Sequence, residues 1–423
     1  MRIRLIYPRW SRLEHQTEWH LPPHGPAVFA ACVPPEHELR FTDENVDPVN
    51  LDEDVDLVCI SMMLTCQAPR GWELGDAFRA RKIPVIFGGI STMLHAEETA
   101  AHADAVFLGE AEGRFQGVLE DLENGRLKKL YDYLNTPAPV ASVGVARRSI
   151  LNREVYNYRG VQMVDLVHAS RGCRFNCYPC CVNYLGGRAF RPRPVDLVVA
   201  EVESIPNNRL FFVDNSLAQN KAWELELFRA LAPLKRSIIS HPIEDDDEVL
   251  KAAADAGAWY IYQAVFDTSD YIRRRVKRYK EHGIGVEGTV LLGLDEQSED
   301  DVKRLIDFLL EIELDLAEFT VITPFPHTRT FEQYEREGRI LHKDWRRYTA
   351  GEVVIKPKQM SGDTLERLYH DAWDTFYKEQ PHALRMGRML KKAMRREEGW
   401  GTTGRFSAPA GNRQFGRPLQ RSG

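Results

Sequence analysis

The chain has 423 residues and a formal net charge of −6, with 43% hydrophobic and 28% charged residues. These values are ordinary for a soluble globular protein of two or three domains. The acidic balance argues against a dedicated nucleic-acid binder, because neutralising phosphates requires a basic surface. No apolar run approaches the roughly 18 residues that a membrane span needs. The N-terminal segment also lacks a secretory signal pattern, so a cytoplasmic location is expected.

Apolar runs typical of buried strands alternate with helix-like segments in the first part of the chain. They lie at residues 3–7, 39–42, 57–61, 85–88 and 105–108. This alternation predicts that residues 1–135 form an α/β domain with a Rossmann-like, doubly wound parallel sheet. Open sheets of this kind bind ligands beyond the carboxyl ends of their strands. The turns at Gly88-Gly89 and Gly109-Glu110 are therefore candidate ligand contacts.

The same pattern resumes after a polar segment, residues 136–160, which is predicted to be a linker. Six strand-like runs separated by helical segments predict a partial (β/α)6 barrel over residues 161–350, rather than a closed eight-stranded barrel. Residues 351–400 are predicted to be a helical extension whose apolar stripe either packs on the barrel or also roofs a substrate cavity. Residues 401–423 are predicted to be a disordered tail. The barrel runs are residues 164–169, 210–213, 237–240, 259–265, 286–292 and 318–322.

Four of the seven cysteines crowd into residues 173–181, and the odd total argues against a disulfide framework. Cys173, Cys177 and Cys180 have the spacing Cys-x3-Cys-x2-Cys directly after the first barrel strand. Three thiols on one tight loop at the mouth of a barrel can hold three irons of a [4Fe–4S] cluster and leave the fourth open. The preceding Gly172 would let the backbone approach the cluster closely.

Two other interpretations of these cysteines stay open. A structural zinc ion could use Cys181 or His168 as its fourth ligand, although structural zinc usually draws two pairs of ligands from separated segments. The cysteines could also be inert. Cys181 adjoins Cys180, and we interpret it as a buried small hydrophobic residue rather than a cluster ligand.

A cysteine loop of this spacing after the first strand of a βα barrel resembles the radical S-adenosylmethionine (SAM) superfamily. The resemblance implies that SAM chelates the open iron. An electron from the reduced cluster would then cleave SAM to a 5′-deoxyadenosyl radical, which abstracts a hydrogen atom. Tyr178 stands one place before the family's usual aromatic residue. Relatives often have a glutamate after the fourth strand, which here ends Gln263-Ala-Val-Phe266-Asp267 and has no clear match to it. The SAM contacts that the resemblance implies are Tyr178, Asp214, Asn215, Gln263, Gly288 and Gly293.

Several of these residues have a structural alternative. Asp214 and Asn215 could turn or cap the chain before the next helix. Gly288 and Gly293 could allow a bulge or tight packing. His327 follows Thr323-Pro-Phe-Pro, which resembles the family's proline-rich loop after the sixth strand. It stands where glycine is frequent in the family, so it is a candidate catalytic residue, with an ordinary surface role as the alternative.

The N-terminal domain resembles that of one branch, the radical SAM proteins with a cobalamin-binding domain. Pro22-Pro-His-Gly25, Ile60-Ser61, Gly88-Gly89 and Gly109-Glu-Ala-Glu112 occur in matching order. The resemblance implies bound cobalamin, although the sequence lacks Asp-x-His-x-x-Gly, which donates a lower axial histidine in many cobalamin proteins. The implied cobalamin contacts are Ser61, Thr65, Gly88, Gly89, Ser91, Gly109 and Glu110.

The branch implies an enzyme that methylates an unactivated carbon of a small-molecule or natural-product substrate. One SAM would methylate cobalamin, and a second would provide the radical that activates the substrate. A radical SAM cyclase or oxidase of the same architecture is the first alternative, and a non-catalytic iron–sulfur binding or sensor protein is the second. Because no further cysteine cluster follows Cys181, electrons are expected from an external flavodoxin- or ferredoxin-type donor.

Overall fold

The computed structural model describes residues 1–11, 21–158, 161–162 and 164–402. The tail predicted to be disordered lies outside the described residues from residue 403 onwards, as do residues 159 and 160 of the predicted linker. Two six-stranded sheets organise the described part, and every strand pair within each sheet is parallel. The prediction of an α/β fold with parallel sheets and helices is therefore confirmed.

The first sheet contains β1 (Arg2–Tyr7), β2 (Glu38–Asp43), β3 (Leu57–Ser61), β4 (Val85–Gly88), β5 (Ala105–Leu108) and β6 (Leu130–Asp132). The strand order is β2-β1-β3-β4-β5-β6, so the order reverses at β1. The carboxyl ends of β1 and β3 consequently flank the crevice where open sheets bind ligands. The connecting helices are α1 (His24–Ala30), α2 (Ala68–Ala80), α3 (Ile90–Leu94), α4 (Ala96–Ala101) and α5 (Phe115–Glu123).

A short hairpin, β7 (Asn157–Tyr158) and β8 (Val161–Gln162), precedes the second sheet. A second hairpin, β10 (Ser170–Arg171) with β11 (Arg191–Pro192), lies after its first strand. The sheet contains β9 (Asp165–Val167), β12 (Arg209–Phe212), β13 (Ser237–Ser240), β14 (Ala258–Val265), β15 (Gly285–Leu292) and β16 (Leu316–Val321), paired in that order. The helices are α6 (Val182–Gly186), α7 (Val195–Ser204), α8 (Lys221–Leu231), α9 (Asp247–Ala256), α10 (Asp270–Glu281), α11 (Glu299–Glu311) and α12 (Arg329–Arg336).

Side chains of the second sheet alternate between two faces, as the pleat of a strand requires. One face packs against the helices and forms the largest apolar core, to which Val286, Val290 and Phe319 belong. We call the opposite face the inner face. Its apolar residues form a separate cluster, which includes Leu166, Phe211, Ile239, Tyr260 and Leu316.

The C-terminal extension consists of two helices, α13 (Gly362–Tyr377) and α14 (His382–Gly399). The first of these helices ends shortly before Pro381. Proline has no backbone N–H to donate and favours the first turn of a new helix. Residues 351–361 are not helical, so the helical part starts later than predicted. Trp373 and Phe376 belong to the core of the second sheet, which agrees with the packing interpretation of the apolar stripe.

Helix α14 packs against the inner face at the amino ends of the strands. Met389 and Ala393 contribute to its apolar cluster. The buried Glu397 accepts hydrogen bonds from Arg209 at 3.0 Å and from Ser237 at 2.6 Å, which ties the helix to the starts of β12 and β13. No helix in the described ranges combines the length and apolar character that crossing a membrane requires.

Candidate active site

The three predicted cluster ligands lie on the loop that the β10–β11 hairpin closes. Cys173 is buried, whereas Cys177 and Cys180 are exposed. Burial, with a smaller contribution from Cys177, raises the pKa of the Cys173 thiol. Burial also raises the pKa of Cys180, and both other thiols contribute to that shift. The three sulfur atoms therefore lie near enough to repel one another as thiolates.

This donor set fits a cubane cluster, because three neighbouring thiolates can each bind a separate iron. Within the described ranges, no group of three or more His, Cys, Asp or Glu side chains is placed to hold one metal ion. His168 was considered above as a possible zinc ligand. Its Nδ1 atom instead lies 2.8 Å from the Nε2 atom of His24. Cys181 is half-buried, and burial raises the pKa of its thiol to about 11.

Gly172 has a packing role that was not predicted from the sequence. Its φ of +71° lies in the left-handed region, and a Cβ atom would collide with the backbone oxygen of Ala189. The absence of a side chain thus permits the close backbone packing at the base of the loop. A role in approaching the cluster is not needed to explain this glycine.

Asp214 holds the segment that enters the cysteine loop. Its carboxylate accepts hydrogen bonds from the backbone N–H of Ala169 at 3.0 Å and from both the N–H and the hydroxyl of Ser170. Burial raises its pKa to about 6, against the opposing effect of these hydrogen bonds. Asp214 is therefore occupied in positioning the loop, while the adjacent Asn215 is exposed at the strand end.

Three of the other predicted SAM contacts face away from the inner face. Gln263 accepts a hydrogen bond from Arg275 of α10 at 3.0 Å. A Cβ atom on Gly288 would lie 2.7 Å from Leu314, and one on Gly293 would lie 2.6 Å from Leu365. These positions pack against the helices, so their placement favours the structural alternative of tight packing.

Tyr178 and His327 do lie beside the cysteine loop. The hydroxyl of Tyr178 is 3.1 Å from that of Tyr334 on α12. His327 is exposed, and its ring stacks on Tyr184 with centroids 4.8 Å apart and planes 10° apart. Tyr184 follows the cysteines on α6 and donates a hydrogen bond to the backbone oxygen of Met93 at 3.4 Å. The cysteine loop, the proline-rich loop and the first sheet therefore meet at one place.

His241, which directly follows β13, was not among the site residues predicted from the sequence. Its Nδ1 atom lies 2.5 Å from the backbone oxygen of Asp214, so Nδ1 carries the proton. Burial lowers the pKa of the imidazole, which keeps it neutral and leaves Nε2 as a hydrogen-bond acceptor. Its ring lies 5.4 Å from Phe211 and 5.6 Å from Tyr262 on the inner face. A polar residue immediately after a buried strand was the available signal.

The carboxyl ends of the two sheets are joined around the cysteine loop. Glu110, predicted to contact cobalamin, is instead bound by Arg191 at 2.5 Å and by the backbone N–H of Ala138 at 2.7 Å. Glu112 pairs with Arg171, whose side chain extends from β10. His24 of α1 meets His168 nearby. These contacts come from both sheets and surround the base of the loop.

We expect Glu112→Gln to lower the free energy of unfolding by about 2 kcal/mol, since it leaves the guanidinium of Arg171 partly uncompensated in a largely buried place. Urea unfolding of the protein without cofactors measures this change. The matched control is Asp255→Asn, which removes the exposed ion pair with Lys251 and should cost less than about 0.5 kcal/mol. Equal effects of the two substitutions would contradict a stabilising role for the contact between the sheets.

The remaining predicted cobalamin contacts gather at the carboxyl edge of the first sheet. Ser61 ends β3, and the Thr65 hydroxyl lies 3.3 Å from the Nε2 atom of His95. The Ser91 hydroxyl is buried without a hydrogen-bond partner in the described structure. Gly89 and Gly109 have positive φ angles and pack against neighbouring backbone. Gly88 is the glycine with space beside it: its nearest neighbour would be 3.9 Å from an added Cβ.

These features fit a cofactor at the edge of the sheet in two respects. A ligand can approach the backbone at Gly88, and the Ser91 hydroxyl retains unused hydrogen-bonding capacity. Glu110 does not contribute to this fit, because its carboxylate is taken up by Arg191 and Ala138.

No protein-family model matches the chain. The chain is 26% identical over 364 residues to the bacteriochlorophyllide d C-8(2)-methyltransferase of Chlorobaculum tepidum, a match that covers 78% of this chain and 79% of that protein. It is 24% identical over 245 residues to the anaerobic magnesium-protoporphyrin IX monomethyl ester cyclase of Cereibacter sphaeroides, covering 51% and 39% of the two chains.

The fold resembles that of a solved radical S-adenosylmethionine methyltransferase, TsrM from Kitasatospora setae, whose structure contains cobalamin and a [4Fe–4S] cluster. The TM-score is 0.63 at 15% identity, and the match covers 87% of this chain and 85% of the other. The likeness therefore extends over both sheets.

Proposed function

We propose that the chain is a member of the radical SAM superfamily, in the branch with a cobalamin-binding domain, and that it is a cobalamin-dependent methyltransferase acting at carbon. One observation carries the proposal: the carboxyl ends of two parallel sheets face each other with the three-cysteine loop between them. This arrangement supports a cluster site beside the ligand-binding edge of an open sheet. The bacteriochlorophyllide methyltransferase relative supports methylation at carbon.

In this proposal, residues 1–135 form a Rossmann-like cobalamin-binding domain, and residues 136–160 are the linker. Residues 161–350 form a partial barrel that holds the cluster and SAM, and residues 351–400 form the extension that covers it. Ser61, Thr65, Gly88 and Ser91 would lie along the cobalamin, and Asn215 beside SAM. When bound, the cluster would supply the electron that cleaves SAM, and cobalamin would supply the methyl group.

The chain's own residues provide binding, positioning and access. Cys173, Cys177 and Cys180 would bind iron as thiolates, so their protons would be released when the cluster is assembled. Asp214 fixes the loop, and neutral His241 offers its Nε2 atom to a donor above the inner face. The exposed side of Cys177 leaves the cluster open to an external electron donor of the flavodoxin or ferredoxin type.

A cobalt analysis and a label experiment test this proposal. The protein is reconstituted anaerobically with iron, sulfide and hydroxocobalamin, desalted, and analysed for cobalt. It is then reduced in the presence of SAM carrying a deuterated methyl group and a panel of candidate small-molecule substrates. We expect about one cobalt per chain and a product that has gained the deuterated methyl group on carbon. Iron with no retained cobalt would contradict the cobalamin-dependent proposal.

A second candidate function is oxidative ring closure, favoured by the similarity to the cyclase of Cereibacter sphaeroides. The same labelled SAM separates the two functions. A cyclase would release labelled methionine and yield a product that has lost hydrogen but gained no label. A methyltransferase would yield a product that has gained the label.

A further inference from the structure

Two carboxylates lie on the inner face of the second sheet, among residues that the proposed chemistry does not use. Glu287 lies on β15 between Val286 and Gly288, which face the helices, and is only 7% exposed. Glu318 lies on β16 between Ala317 and Phe319, which also belong to the helix-facing core. Strand alternation thus directs both carboxylates to the inner face.

The strand register brings aromatic hydroxyls beside these carboxylates. Tyr262 of β14 is paired directly with Glu287, and Glu318 contributes to the raised pKa of its phenol. Tyr260 precedes it by two residues on the same face, and the two rings lie 5.2 Å apart. We call Glu287, Glu318, Tyr260 and Tyr262 the acid–phenol site.

The polar groups of this site are unusually short of partners. Within the described part of the chain, neither carboxylate has a hydrogen-bond or ion-pair partner. The hydroxyl of Tyr260 is also unpartnered, although the residue is only 1% exposed. Burial raises the pKa of both carboxyl groups, and Glu318 raises that of Glu287 further.

Buried polar groups in native proteins normally have partners. The unpaired Tyr260 hydroxyl and the carboxylate of buried Glu287, with the half-buried Glu318 beside them, therefore indicate a missing ligand. Carboxylates accept hydrogen bonds, and a phenol can also accept one through its oxygen. A primary ammonium group matches them, because it has a positive charge and three donors. A neutral or anionic group would leave the two carboxylates repelling each other.

We propose that the acid–phenol site binds a cationic nitrogen, a primary ammonium group of the substrate, between Glu287 and Glu318 with Tyr260 and Tyr262 as further contacts. The assignment of this nitrogen to a substrate rests on the proposed function, in which SAM would bind at the carboxyl ends of the strands that form the inner face. It narrows the substrate class to molecules with an amine several bonds away from the reacting carbon.

Binding of a small probe tests the site without cluster, SAM or turnover. The full-length protein is titrated with n-propylammonium chloride, with potassium chloride and with 1-propanol, and followed by saturation-transfer NMR and thermal unfolding. We expect saturable binding of n-propylammonium, little response to 1-propanol, and no competition by potassium. The variants Glu287→Gln and Glu318→Gln should each weaken binding at least ~10-fold. Glu332→Gln, an exposed carboxylate on α12, is the matched control and should bind like the unchanged protein.

A further variant separates weaker probe binding from misfolding of the protein caused by the buried substitutions. Tyr260→Phe removes only the unpartnered hydroxyl. It should weaken binding of n-propylammonium several-fold and leave the midpoint of thermal unfolding unchanged. Equal binding of 1-propanol, full competition by potassium, or unchanged affinity in both glutamate variants would each overturn the proposal. These measurements do not involve SAM cleavage, so such a result would not contradict the proposed radical chemistry. Equally, a protein that failed to cleave SAM would not contradict binding of the ammonium group at this site.

Discussion

Replacing Cys173 with alanine is expected to abolish SAM cleavage, a fall of at least about a thousandfold, since a cubane held by three thiolates cannot be retained by two. Cys173 is the buried member of the three and lies directly after the segment that Asp214 holds. Its loss therefore removes the ligand that the fold positions most firmly. Iron and sulfide analysis after anaerobic reconstitution, with the visible absorption of the cluster, measures the change.

Cys181→Ala is the matched control for this experiment. Cys181 adjoins Cys180, is half-buried, and lies outside the Cys-x3-Cys-x2-Cys spacing. We expect this variant to retain iron and to cleave SAM at close to the original rate. If Cys181→Ala lost the cluster and Cys173→Ala retained it, the ligand assignment would be wrong.

Replacing Asp214 with alanine should lower the free energy of unfolding by about 3–5 kcal/mol, because it leaves the buried donors of Ala169 and Ser170 without an acceptor. The same change should reduce the iron bound after reconstitution, since the freed segment leads directly into Cys173. Urea unfolding and iron analysis are the two measurements. An unfolding free energy within about 0.5 kcal/mol of the original would contradict the positioning role.

Asn215→Ala is the control for Asp214. Asn215 is exposed at the same strand end, so its removal should change stability by less than about 0.5 kcal/mol. We expect this variant to bind iron normally and to bind SAM more weakly. The pair of variants thus separates loop positioning from contact with SAM.

The titration of Asp214 makes the free energy of unfolding depend on pH. Its pKa is about 6 in the folded protein and 3.8 for an ordinary carboxyl, so the folded state binds this proton more tightly. The contribution of the group to stability therefore falls as pH rises from about 4 to about 6 and is constant above that range. Asp214→Asn should remove this part of the pH dependence, as measured by unfolding at a series of pH values.

The sequence was sufficient to predict eleven of the twelve strands of the two sheets and the cysteine loop, because these depend on local patterns. Strand β6 and the strands of the two short hairpins were not predicted. The buried runs at residues 57–61, 85–88 and 237–240 coincide with β3, β4 and β13. The break before Pro381 was also readable from the sequence, although the extension was predicted as one helical region. Proline lacks the backbone donor that a continuous helix requires.

Side-chain direction was harder to predict than strand position. Gln263 was chosen as a SAM contact, but its neighbour Tyr262 is the residue on the inner face. A difference of one residue in a strand moves a side chain to the opposite face. Glu110 and Asp214 were predicted as cofactor contacts from the family resemblance, and both are bound by groups distant in sequence, which no local pattern reveals.

The central claim is that three cysteines hold a cluster that cleaves SAM reductively. The most direct measurement is release of 5′-deoxyadenosine and methionine from SAM by the anaerobically reconstituted, dithionite-reduced protein, with Cys173→Ala in parallel. The account predicts about four irons per chain, release of both products by the unchanged protein, and neither product from the variant. Bound zinc in place of iron, or an iron-loaded and reduced protein that leaves SAM intact, would contradict it.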